Sequence, residues 1–154
     1  MQPHQLILFA DYHQFYLQDE AASGDLSKAW SPEAVERMLA VADGVVGIGT
    51  LRNMDVGVTL EILAEPPSAD TNGFDHVVEG SLDARCGTLV VAGCTDYFPD
   101  AARFALAPGS YRVRLSISGA DTLSEDGLEG EDHYLVQLWP APAGATVVLK
   151  QGAF

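Results

Sequence analysis

The segment Phe9 to Glu20, FADYHQFYLQDE, places four aromatic rings, a histidine, two amides and three carboxylates within twelve residues. The chemistry open to such a set is proton transfer by His13, oriented by Asp11 two residues earlier on the same face of an extended strand. On that geometry Asp11, His13 and Phe15 share one face, and Tyr12, Gln14 and Tyr16 share the other. The competing arrangement is architectural: a strand-end histidine hydrogen-bonded at the sheet rim, with Tyr12 and Phe15 buried. The architectural reading is the expectation, a hydrogen-bonded histidine at a strand end being the commoner arrangement.

Other chemistries lack their residues. His4, His13, His76 and His133 are scattered, and none forms an i, i+2 or i, i+4 pair of the kind that chelates zinc. The acidic turns SADTNGFD and DTLSEDGLEGED contain glycine but do not match a D-x-[DN]-x-[DN]-G calcium loop. There is no G-x-S-x-G elbow, no dinucleotide fingerprint and no P-loop, and Cys86 and Cys94 have no activating histidine in sequence. The sequence therefore predicts no catalytic residue, no metal and no cofactor. If Gly87–Gly93 forms one strand, the two cysteines lie roughly 26 Å apart, beyond disulfide reach; a hairpin between them could permit a bridge, but free thiols in a reducing cytoplasm are expected.

What the chain does have is charge. Twenty-two acidic residues oppose 8 basic ones across 154 residues, a net charge of −14. Such a surface repels phosphate backbones, which argues against direct nucleic-acid binding, and it attracts a basic partner. The densest run, GADTLSEDGLEGED, holds Asp121, Glu125, Asp126, Glu129, Glu131 and Asp132 with no cation among them. These six carboxylates are the candidate partner-binding residues; a merely solvated loop is the alternative. No secretory leader is visible, the apolar run Leu6–Ala10 being short and unpreceded by basic residues, and no stretch is long enough to span a membrane. A cytoplasmic protein is expected.

The elements that would display this charge are mainly strands. MDVGVTLEIL alternates Val56, Val58, Leu60 and Ile62 with Gly57, Thr59 and Glu61, a period of two. LILFADYHQFYL opens the chain as a long or bent strand. FDHVVEGSLD, GTLVVAG, HYLVQLWP and ATVVLKQ add further strands. ARFALAPGSYRVRLSIS divides at Pro108-Gly109 into an expected hairpin, with Tyr111, Val113, Leu115 and Ile117 on one face and Arg112 and Arg114 on the other. About eight short strands predict one antiparallel β-sandwich domain over residues 1–154, jelly-roll-like in form. One principal helix is predicted over residues 32–43: Ser31 caps it, Pro32 begins it, and Gly44 follows its end. Val35, Met38, Leu39 and Ala42 supply its apolar stripe, Glu33 and Arg37 pair outside, and Trp30 staples onto Val35.

The tetrad Tyr12-His13-Gln14-Phe15 carries a further signal. With Trp30, Glu33-Ala34, Ala42-Asp43-Gly44 and Arg52-Asn53 it resembles the competence protein J family of bacteria, and Gly109-x-Tyr111 adds a weaker echo. The resemblance lies mostly in the first third of the chain. It implies a small inhibitor that binds a DNA-entry nuclease, a class of enzyme whose DNA-gripping cleft is basic. It transfers no catalytic residue and no contact residue. Two other classes stand beside this one. The first is a β-sandwich module for a small ligand or carbohydrate, with Trp139 or Tyr97-Phe98 as an aromatic platform. The second is a metal-dependent hydrolase assembled from His13, His76 or His133.

Overall fold

In the computed structural model, which describes residues 3–154, two β-sheets pack face to face. One sheet has six strands: β1 (His4–Phe9), β5 (Asp55–Ile62), β10 (His133–Pro140), β9 (Gly109–Ser118), β6 (His76–Ala84) and β11 (Val147–Lys150), in that order. The other has five: β3 (Leu39–Ala42), β4 (Val45–Gly49), β2 (Gln14–Asp19), β7 (Thr88–Gly93) and β8 (Ala102–Ala105). Pairing is antiparallel except between β5 and β10, which run parallel. The sequence expectation of a mostly antiparallel β-sandwich holds, with eleven strands among the described residues rather than about eight.

Alternation builds the core. Val56, Val58 and Leu60 of β5 point inward, as do Tyr111, Val113, Leu115 and Ile117 of β9. They meet Phe15 and Leu17 of β2, Ile48 of β4 and Leu89 and Val91 of β7 across the interlayer space. Arg112 and Arg114 take the opposite face of β9, where both guanidinium groups reach Glu79 at 3.2 and 2.7 Å.

Four local expectations require correction. The helix is α1, Pro32–Arg37, and not 32–43. Ser31 does cap it, its Oγ accepting from the Ala34 amide at 3.2 Å. Met38 then turns into the left-handed region at φ 62°, and Leu39–Ala42 becomes β3, paired with β4 across the two-residue Asp43-Gly44 turn. Arg37 donates to the Leu39 carbonyl at 3.1 Å in place of an outer pair with Glu33.

Nor does Trp30 act as a staple buried on Val35, which is 60% exposed; its indole lies over Gly47, where a Cβ would stand 2.8 Å from Cζ2. The third correction concerns Pro108-Gly109. It does not close a hairpin, because β8 and β9 belong to different sheets. Finally, the opening strand breaks at Ala10: β1 and β2 also lie in different sheets, joined by a 3₁₀ turn in which Tyr12 and His13 both have φ 58°. That turn carries Tyr12 out to 70% exposure while Phe15 is fully buried.

Candidate functional site

The acidic segment is the connection from β9 to β10, and the sequence holds it in a defined shape. Ser124 is its pivot: the Ser124 amide donates to the Glu129 carbonyl at 2.8 Å, and the Glu129 amide donates to Ser124 Oγ at 3.0 Å. Asp126 Oδ1 accepts from the Ser124 hydroxyl at 2.6 Å and from the Leu128 amide at 3.1 Å, and these donors hold its carboxyl below the usual range. At the loop's base the Glu131 amide donates to Thr122 Oγ1 at 2.7 Å, and the Ala120 amide donates to Asp75 at 2.9 Å. Asp121, Glu125, Asp126, Glu129 and Glu131 are exposed on this frame. They form a fixed anionic rim that can meet cations without first being ordered.

Asp132 departs from the sequence expectation. Its side chain is 0% exposed, so it presents no charge to a partner. Instead Arg52 Nε donates to Asp132 Oδ1 at 2.5 Å, and the Tyr134 hydroxyl donates to Oδ2 at 2.5 Å. Tyr134 Oη in turn accepts from the Leu51 amide at 2.8 Å, and Arg52 Nη1 reaches the Leu128 carbonyl at 3.2 Å. Burial first, then the bond to Asp132, push the Tyr134 phenol well above its usual pKa. This buried triad anchors the acidic loop to the core. Sequence reasoning does not find these two loop-positioning residues: Arg52 is 80 residues from Asp132, and Tyr134, only two residues past it, reads as an ordinary inward-facing residue of β10.

The histidines go to separate tasks. His13 donates from Nδ1 to the Thr50 carbonyl at 3.3 Å, near the end of β4, and its amide meets Asn53 Oδ1 at 3.3 Å. His133 donates from Nε2 to Thr59 Oγ1 at 2.7 Å on the outer face of the six-stranded sheet. His76 is buried, with Nε2 donating to the Arg37 carbonyl at 2.7 Å and Nδ1 accepting from the Gly152 amide at 3.0 Å. Burial holds its pKa below the usual histidine value. Among the described residues no three His, Cys, Asp or Glu side chains gather as a metal site would require. Of the aromatic platform, Trp139 is buried under Arg114, whose guanidinium carbon lies 5.3 Å from the ring centroid. Tyr97 is exposed, and Phe98 is stacked by Arg103. Cys86 and Cys94 are both free thiols.

With the sandwich and its anchored anionic loop in view, comparison with solved structures is decisive for the fold. The fold is similar to that of ComJ. The crystal structure of ComJ from Bacillus subtilis, an inhibitor of the DNA-degrading activity of NucA, aligns at TM-score 0.67 and 18% identity. That alignment covers 92% of this chain and 96% of ComJ. The crocagin biosynthetic gene J protein aligns at TM-score 0.59 and 17% identity, over 92% of this chain and 100% of its own. No family model matches the sequence, and no curated protein matches it by sequence. No helix among the described residues is long and apolar enough to cross a membrane.

Proposed function

We propose that this protein is a non-enzymatic inhibitor that binds and occludes a basic protein, a nuclease being the partner class its charge best suits. One observation carries the reading: a ComJ-like scaffold spanning 92% of the chain bears a net charge of −14 and displays five carboxylates on a loop fixed from behind. A nuclease cleft must be cationic to hold a polyanionic strand, and a rigid anionic rim competes for the same field. The crocagin-biosynthesis protein shares the scaffold, so the partner is set by side chains displayed on the fold and not by the fold itself. The reading makes the protein cytoplasmic, free of cofactor, and without affinity of its own for nucleic acid.

The test is a pull-down with tagged protein from the native host, followed by a DNA-degradation assay on the recovered basic protein with and without stoichiometric inhibitor. Loss of DNA cleavage on addition, restored by high salt, supports the proposal. Recovery of a nuclease that cleaves at full rate in the complex would refute it.

A further inference from the structure

A cavity of about 380 Å³ lies on the outer face of the five-stranded sheet, between β2 and the chain from Gly24 to Trp30. Its aromatic walls are Tyr16 and Trp30. Trp30 Nε1 donates to Gln14 Oε1 at 2.9 Å, which fixes the indole, and Gly47 leaves the room beneath it. Asp25 also lines the cavity. Its Oδ1 accepts from the Ser27 amide at 2.8 Å, the Ser27 side chain also acts on the carboxyl, and the exposed position of Asp25 leaves lone pairs for a further donor. Gln18 donates through Nε2 to the Ala22 carbonyl at 3.0 Å, which leaves its amide oxygen as an acceptor. The Tyr16 hydroxyl has no hydrogen-bond partner among the described residues. No basic side chain lines the space.

The local field is negative at both ends. Burial pushes Tyr16 and the Cys94 thiol up in pKa, leaving both neutral, and the Asp96 carboxylate near Tyr16 and the Asp11 carboxylate near Cys94 add to it. Asp25 supplies the charge at the other end, and exposed Lys28 acts on it. Two aromatic side chains, a carboxylate, an amide oxygen and a phenol oxygen lining one anionic recess match a group that is planar, cationic and rich in donors. Guanidinium fits all of these features. Ammonium brings charge and three donors but no plane to stack on the rings.

We propose that the cavity between Tyr16 and Trp30 receives an arginine side chain projecting from the protein partner. This rests on the inhibitor reading for the source of the arginine and on the cavity's own chemistry for its selectivity. It gives the interface a second contact, on the sheet face, in addition to the acidic loop: the loop attracts, and the cavity selects.

The probe is N-acetyl-arginine amide, with N-acetyl-citrulline amide as its neutral isostere, titrated into ¹⁵N-labelled protein at constant ionic strength. Arginine should shift the Trp30 indole N–H and the Ser27 and Cys94 amides saturably, and citrulline should not. Asp25→Asn keeps the turn's cap and should weaken binding about three-fold, as for an exposed ion pair. Trp30→Leu should weaken it about five-fold through loss of the cation–π face, and Lys28→Ala should strengthen it. Equal shifts from both probes, or arginine shifts confined to residues 121–131, would overturn the proposal. The two readings fail separately. Nuclease inhibition with an unresponsive Trp30 removes the cavity and keeps the inhibitor; saturable arginine binding without inhibition of any recovered nuclease does the opposite.

Discussion

Replacing Arg52 with methionine tests whether the acidic loop is held from inside. Arg52 Nε is the cationic partner of Asp132, and Nη1 is a donor to the Leu128 carbonyl. With Arg52 gone, the Asp132 carboxylate stays at 0% side-chain exposure with only the Tyr134 hydroxyl for support. Breaking a buried pair from one side costs about 3–5 kcal/mol, because the remaining charge has lost both water and partner. Total stabilities of about 5–15 kcal/mol make that a large share. At a urea m-value of about 2 kcal/mol/M, the midpoint should fall by about 2 M. The double variant Arg52→Met with Asp132→Leu leaves no orphan charge and should recover more than half of the loss. Urea denaturation followed by circular dichroism measures both, and amide exchange at Glu129 and Gly127 reports loosening of the loop. A loss under about 1 kcal/mol, or a double variant equal to the sum of its singles, would refute the anchoring argument.

Three further outcomes follow from the geometry. His76 is neutral in the fold, its Nδ1 accepting from Gly152, so its folded pKa lies below the unfolded value of 6.5. Its stabilising contribution is complete above pH 6.5 and declines as pH falls below that value, because the unfolded chain then binds the extra proton. Nuclear Overhauser contacts between the His76 and Phe154 rings, whose centroids are 5.7 Å apart, should fade over the same range, and His76→Gln should flatten the pH profile. Gly44→Ala places a side chain at φ +71° with its Cβ 2.5 Å from that of Ala22, and should lower thermal stability by about 1–3 kcal/mol, measured by calorimetry. The triple change of Glu125, Glu129 and Glu131 to glutamine should slow association with the recovered partner about three-fold at low salt and leave the melting temperature unchanged. Stopped-flow rates at two salt concentrations check it; an unchanged salt slope would leave the rim as solvated surface.

Where the sequence was informative, it was through period and turn chemistry. The alternation in β5 and β9 marked their inward faces correctly because each strand has one face on the core. The helix end is ambiguous in sequence because Val35, Met38, Leu39 and Ala42 satisfy a helical stripe, while Asp43-Gly44 suits both a helix stop and a two-residue strand turn. The β-branched run after it, Val45-Val46-Gly47-Ile48, is the signal that favours the strand. Tyr12 is exposed where burial is expected because a chain that changes sheet resets which side chains face inward, and nothing in ADYH announces the switch. Asp132 reads as one more loop carboxylate; its burial depends on Arg52, 80 residues away, and a charge run carries no record of such a partner. The cavity at Trp30 was hidden for the same reason, since it needs glycine at position 47 of another strand.

The order of the strands has a consequence for the behaviour of the protein in bulk. Each sheet stops at strands with a neighbour on one side only: β1 and β11 in one, β3 and β8 in the other. β1 also exposes Ile7, and β11 exposes Val147 and Leu149. Unfilled backbone donors and acceptors beside apolar side chains are a template for joining one molecule to the next. Around neutral pH the charge of −14 keeps copies apart. Near the isoelectric point of about 4.3 that repulsion vanishes, and the stabilising contribution of the neutral His76 that holds the Gly152 amide beside β11 has been declining since pH 6.5. Acidification should therefore drive edge-to-edge polymerisation before it drives unfolding, making colloidal lifetime, and not melting temperature, the property that the excess of carboxylates protects.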